Sequence, residues 1–170
     1  MRMSRMFALG FVFGGVVVGA WGDLSDRLWA HTFTAASSQP ASVWRAVNLP
    51  GRSAPNPLFS DAIQAGNTLY LAGRLGLDSD TGEVPDEPQQ EARNVLDQIQ
   101  SVLAQAGMAM DDLVNVQVFC SDVAFYDDFN VVYRTYFNTD EPPARAFLGA
   151  GTLLRGARFE VAGIAVKRPS

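Results

Sequence analysis

The stretch Pro142–Val166, PPARAFLGAGTLLRGARFEVAGIAV, decides how this chain is read. Arg145 stands behind two prolines and an alanine, at the head of an apolar run. Glu160 follows inside a second run that alternates like a strand. Pro142 and Pro143 cannot sit in a helix interior, so the chain enters Arg145 extended. Gly149, Gly151 and Gly156 divide the segment into strand, irregular connection and strand. Paired as an antiparallel hairpin centred near Thr152 and Leu153, the two strands would set Arg145 opposite Glu160. Two readings of that pair are open: a structural ion pair at a sheet edge, or a planar guanidinium and a carboxylate placed to grip a small acid.

The rest of the chain narrows the classes. It has 170 residues, 48% hydrophobic and 18% charged, enough for one globular domain with a core. The net charge is −5 and the body carries no cluster of lysine or arginine, which argues against a nucleic-acid partner. His31, the single histidine, lies ahead of the folded body, so no histidine-based triad or metal cluster is expected there. No Gly-rich phosphate loop or dinucleotide fingerprint appears, and no cofactor is indicated.

The N-terminus has a different character. Arg2 and Arg5 precede an uncharged run, Phe7 to Trp21, that ends in small residues. As a helix this run is about 22 Å long, short of a hydrocarbon core of about 30 Å. Residues 1–22 therefore read as a signal peptide directing export to the periplasm or beyond, with an uncleaved membrane anchor as the second choice. A misassigned start codon on a cytoplasmic protein is the third. Residues 23–42 read as a linker and residues 43–170 as the folded domain.

Within the body, Val43 to Leu49 predicts a first strand. Leu58–Ala65 and Asn67–Ala72 flank Gly66-Asn67, a tight hairpin signal. Asp78–Pro85 is acidic and turn-rich, and lacks the register of a calcium loop. From Pro88 to Ala106 the apolar residues Ala92, Val95, Leu96, Ile99, Val102, Leu103 and Ala106 fall on one helical face. Asp86, Glu87 and Pro88 suit its start and Gly107 its stop. Leu113–Cys120 alternates as a strand, with Val114, Val116, Val118 and Cys120 on one face; Cys120 there reads as a small hydrophobe. Asp122 caps a second predicted helix, Val123–Phe137, whose aromatic stripe reads as core. The order of elements gives an α+β domain with a mixed sheet and two helices on one face. On the last strand Phe159, Val161, Gly163 and Ala165 point one way, and Ala162, Ile164 and Val166 the other. Helices enough for one face leave the second apolar face to another copy. Arg158 and Glu160 are expected on that side as polar exceptions.

The run PARAFLGAGTL followed by FEV resembles the C-terminal signature of the Rid (YjgF-like) family of reactive intermediate deaminases. FSDAIQAGNTLYLAG and SDVAFYDDFNVVYRTYF resemble its opening hairpin and second helix, so the likeness covers about Val47 to Val166. The resemblance implies a chorismate-mutase-like fold, a homotrimer and sites in clefts between subunits. It implies that Arg145 binds the substrate carboxylate and that Glu160 helps to place the attacking water. In the family a tyrosine stands at the position of Phe59 and a serine at that of Ala72, so both hydroxyls are missing here; backbone N–H groups near Gly73 are the remaining donors. The implied activity is hydrolysis of 2-imino or enamine acids to 2-keto acids and ammonia. The alternatives are a non-catalytic binder of small carboxylates on the same scaffold, and a hydrolase of a carbamate or amide.

Overall fold

The computed structural model describes residues 43–51, 58–137 and 140–168. The predicted signal or anchor (1–22) and the linker (23–42) lie outside the described residues, as does His31. The elements run β1 (Trp44–Val47), β2 (Ala62–Ala65), β3 (Thr68–Leu75), α1 (Pro88–Gln105), β4 (Leu113–Cys120), α2 (Tyr126–Tyr133), β5 (Ala144–Gly149) and β6 (Phe159–Val166). The strands form one sheet in the order β1-β2-β3-β6-β4-β5. Every neighbouring pair is antiparallel except β4 and β5, which run parallel.

Local chemistry sets most of these elements. Ala65 pairs with Thr68 across Gly66-Asn67, and Gly66 takes the positive φ (59°) that the tight turn requires. Pro88 opens α1, and Gly107 (φ 67°) closes it. There the Met108 N–H donates to the Leu103 carbonyl and the Gly107 N–H to Ala104, a Schellman closure that satisfies the last carbonyls. Ala92, Val95, Leu96, Ile99, Val102 and Leu103 are all buried against the sheet. Each of the larger ones contributes about 1.5–3 kcal/mol of transfer free energy. The second helix is shorter than its periodicity suggests. The Asp122 carboxylate accepts from the Ala124 N–H and starts a 3-10 turn, Val123–Phe125, before α2 proper. The aromatic stripe is core as expected: Phe129, Val132 and Tyr133 are buried, with Phe125, Tyr136 and Phe137 packed beside them.

Two strand assignments change. A register shift between Leu113 and Asn115 puts Leu113 in the core and leaves Val114 exposed, so Val114 does not share the buried face of Val116, Val118 and Cys120. A bulge adds one residue and reverses the alternation beyond it. The larger correction concerns the expected hairpin. β5 and β6 do not pair with each other, because β4 lies between them. The connection 150–158 straddles the end of β4: the Ala150 N–H donates to the Cys120 carbonyl, and the Ser121 N–H to the Arg158 carbonyl. Gly151, Arg155 and Gly156 all take positive φ there, which makes a wide excursion in place of a tight turn.

The last strand alternates as predicted, with Phe159, Val161, Gly163 and Ala165 buried under the helices. Its other face, with Ala162, Ile164 and Val166, is only half covered, and Tyr70 and Leu148 are each 50% exposed. Arg158 does not belong to that open face. It precedes the strand and turns toward α1, where its Nε donates to the buried Glu91 carboxylate at 2.7 Å.

Candidate functional site

The predicted site residues divide into two places. Phe59, Ala72, Gly73 and Glu160 line one pocket of about 420 Å³ beside the free end of β3, together with Arg74, Leu75, Leu77, Gln98 and Leu154. β2 pairs with β3 only as far as Leu71, and the β3–β6 register shifts between Leu71 and Arg74. That irregularity opens the sheet edge where the pocket forms. Glu160 pairs with Leu75 on one side and Phe119 on the other. Its carboxylate lies directly over Gly73: a Cβ built there would come within 2.0 Å of Oε1. The residue must be glycine for the carboxylate to rest at this spot. No hydrogen bond or ion pair holds the Glu160 carboxylate among the described residues. The backbone N–H of Ala72 is already engaged, donating to the Asp61 carbonyl at 3.0 Å.

Arg145 lies elsewhere. It pairs with Val116 on β4, and β4 separates β5 from β6. At strand spacings near 4.8 Å the two backbones are about 10 Å apart laterally. The side chains also leave opposite faces: Arg145 meets α2, whereas Glu160 is on the side away from the helices. Within one chain, a molecule the size of a three-carbon acid cannot touch both.

The environment of Arg145 is built from neutral groups. One Nη1–H donates to Asn130 Oδ1 at 2.8 Å. The guanidinium carbon stands 4.5 Å from the centroid of the Tyr133 ring and 5.8 Å from that of Tyr126, within cation–π range. Asn130 and Tyr133 are buried, and both belong to α2, whose helical spacing puts them on one face with Tyr126. The Tyr133 hydroxyl is buried without a hydrogen-bond partner among the described residues. Burial pushes its pKa up, and the Arg145 charge pulls it partly back.

The other two arginines that are not exposed among the described residues are held differently. Arg74 donates through Nη1 to Asp61 Oδ1 at 2.5 Å and through Nη2 to Gln98 Oε1 at 3.0 Å. Arg158 meets Glu91, whose Oε1 also accepts from the backbone N–H of Arg158 (2.6 Å) and of Phe159 (3.0 Å). Asp61 and Glu91 are both fully buried. These two carboxylates were not anticipated from the sequence. Glu91 did carry a signal, since it lies four residues before Val95 on the buried stripe of α1. Asp61, at the mouth of a short strand, carried none.

The remaining candidates resolve simply. The Asp78 carboxylate accepts from Asp80 N–H, Thr81 N–H and the Thr81 hydroxyl, bonds that hold its pKa down and close the acidic loop on itself. The Cys120 thiol is buried, donates to the Asp122 carbonyl at 2.8 Å, and is pushed up in pKa by burial. A thiol so placed is a poor nucleophile.

Comparison with known proteins gives one consistent answer. A family profile described as Endoribonuclease L-PSP matches residues 51–167. A RutC family protein of Sulfurisphaera tokodaii is 38% identical over 117 residues, covering 67% of this chain and 93% of that protein. The 2-iminobutanoate/2-iminopropanoate deaminase of Mus musculus is 35% identical over 112 residues, covering 65% of this chain and 82% of that protein. Among solved structures, the Rid protein YyfA of Yersinia pestis superposes with a TM-score of 0.66 at 31% identity, covering 73% of this chain and 99% of its own. The fold, the signature around Arg145 and Glu160 and these relatives agree: the chain belongs to the Rid (YjgF-like) family.

Proposed function

We propose that the protein is a hydrolytic deaminase of 2-imino acids, working at a site completed between copies of the chain. The observation that carries this reading is the contrast among the three arginines. Arg74 and Arg158 are neutralised by buried carboxylates, whereas Arg145 is held by an amide and aromatic rings with no acid at ion-pair distance among the described residues. A guanidinium kept in place without a counter-charge suits an anionic ligand. Glu160, uncommitted over Gly73, supplies the base.

In this scheme Arg145 of one copy grips the substrate carboxylate and fixes the imine carbon. Glu160 of a neighbouring copy takes a proton from a water whose oxygen bonds to that carbon. That proton passes to the imine nitrogen as the C=N double bond opens, giving a carbinolamine. Glu160 then carries the remaining hydroxyl proton to the nitrogen, the C–N bond breaks, and ammonia leaves as the C=O bond forms. Imines are electrophilic, so positioning and modest proton transfer suffice. The half-covered sheet face supports a homotrimer, since a second apolar face is the surface another copy would cover. The family resemblance and the mouse deaminase support the reaction class. The net charge of −5 weighs against RNA as a substrate.

A second reading, a carboxylate-binding protein without catalysis, is favoured by one feature. Phe59 and Ala72 both line the pocket and neither offers a hydroxyl. Ammonia release from freshly generated 2-iminopropanoate, compared between the parent and Arg145→Ala, separates the readings. Release that the substitution abolishes supports the deaminase; an inert parent that still binds pyruvate supports the binder.

A further inference from the structure

We propose that Asn130 is a positioning residue whose neutrality keeps the Arg145 charge available to an anion. The inference rests on the carboxylate-gripping reading of Arg145 and assigns the residue that makes that grip selective for charge. Arg145 projects from β5, the terminal strand of the sheet, where a long side chain has many rotamers. Asn130 Oδ1, at 2.8 Å, is the hydrogen-bond acceptor that fixes one of its N–H groups and leaves the other donors to a ligand. The Asn130 side chain is itself fixed: it is 6% exposed, on α2 beside the buried Phe129.

Asparagine and aspartate have the same shape, so the site admits either, and only charge separates them. At the two other described arginines that are not exposed, Arg74 and Arg158, the chain performs the same holding task with carboxylates, Asp61 and Glu91. An aspartate at position 130 would make Arg145 a third such pair. A ligand carboxylate would then have to displace or share a fixed one. Among the described residues, the groups set against Arg145 are Tyr126, Asn130 and Tyr133 from α2 and its pairing neighbour Val116 from β4, none of them a carboxylate. Asn130 is therefore the position at which the charge of the site is set.

The test uses the full-length chain with Asn130→Asp and Asn130→Ala. Pyruvate affinity is measured by calorimetry and stability by denaturant unfolding. The expected result is an affinity for pyruvate weakened about tenfold or more in Asn130→Asp, the scale of one charge-assisted contact, with an unfolding midpoint at or above the parent's. Asn130→Ala, which loses the alignment and keeps the charge, weakens binding by a smaller factor. Asn130→Asp binding pyruvate as the parent does would overturn the proposal. So would equal weakening in both variants that follows a shared loss of stability. A ligand-free arm covers the case in which the parent binds no pyruvate, which would sink the deaminase and binder readings alone. Phenylglyoxal labelling, mapped by peptide mass spectrometry, should modify Arg145 more slowly in Asn130→Asp than in the parent. Equal rates would overturn the role of Asn130 whatever the function.

Discussion

Arg158, just ahead of β6, and Arg145, on β5, show how differently one chain surrounds the same side chain. Arg158 lies where β6 begins, and its partner Glu91 gathers two backbone N–H groups and the guanidinium Nε on a single buried carboxylate. Its Nη2 also donates to the Pro85 carbonyl. Every strong bond there is internal, so the cluster ties α1 to β6 and leaves little for a ligand. Arg145 spends one hydrogen bond on a neutral amide and rests on aromatic rings. The carboxylates differ in the same sense: Glu91 is fully buried and fully bonded, while Glu160 is half-buried over a glycine and uncommitted. Burial with complete pairing ties elements together, and restraint without neutralisation leaves a charge open to the ligand proposed above.

Breaking the structural member should have the largest effect. Glu91→Ala removes the counter-charge of Arg158 and leaves its Nε–H and two backbone N–H groups without their acceptor, a loss of about 3–5 kcal/mol. Urea unfolding should show the midpoint collapsing, and an unchanged midpoint would mean that the cluster is not what joins helix to sheet. Arg145→Ala should do the reverse. Its unfolding free energy should change by about 1 kcal/mol or less, while pyruvate affinity falls by about 1.5–3 kcal/mol. A variant that misassembles, or that binds unchanged, would return Arg145 to a structural role.

The glycine under Glu160 sharpens the comparison. In Gly73→Ala the new methyl meets the flexible end of the glutamate, so the carboxylate swings aside and the fold persists. Turnover should drop about tenfold, equivalent to ~1.4 kcal/mol, with pyruvate binding nearly intact. A fully active Gly73→Ala enzyme would remove Glu160 from the mechanism. The smallest effect concerns the missing hydroxyls. Phe59→Tyr with Ala72→Ser should speed hydrolysis of small imines by about 0.5–1.5 kcal/mol per restored bond. No gain in a folded double variant, beside an inert parent, would favour the binding protein. The apolar lining by Leu75, Leu77 and Leu154 predicts that the parent prefers imines with larger apolar side chains, with Arg74 and Gln98 as the polar part of the lining.

What the sequence determined by itself was local. The steps of three and four in α1, Pro88 before it and Gly107 after it, the Gly66-Asn67 turn, the aromatic stripe of α2 and the alternation of β6 are read over a few neighbouring residues. The structure keeps each of them. Arg145 and Glu160 were also legible as a motif. Their relation in space was not, because strand order depends on contacts distant in sequence. Nothing in residues 150–158 shows that β4, made some thirty residues earlier, occupies the place between β5 and β6. The bulge that exposes Val114, the burial of Asp61 and Glu91, and the neutral surroundings of Arg145 are decided in the same way. A side chain's charge is written in the sequence, but whether that charge is cancelled depends on what the folded chain packs against it.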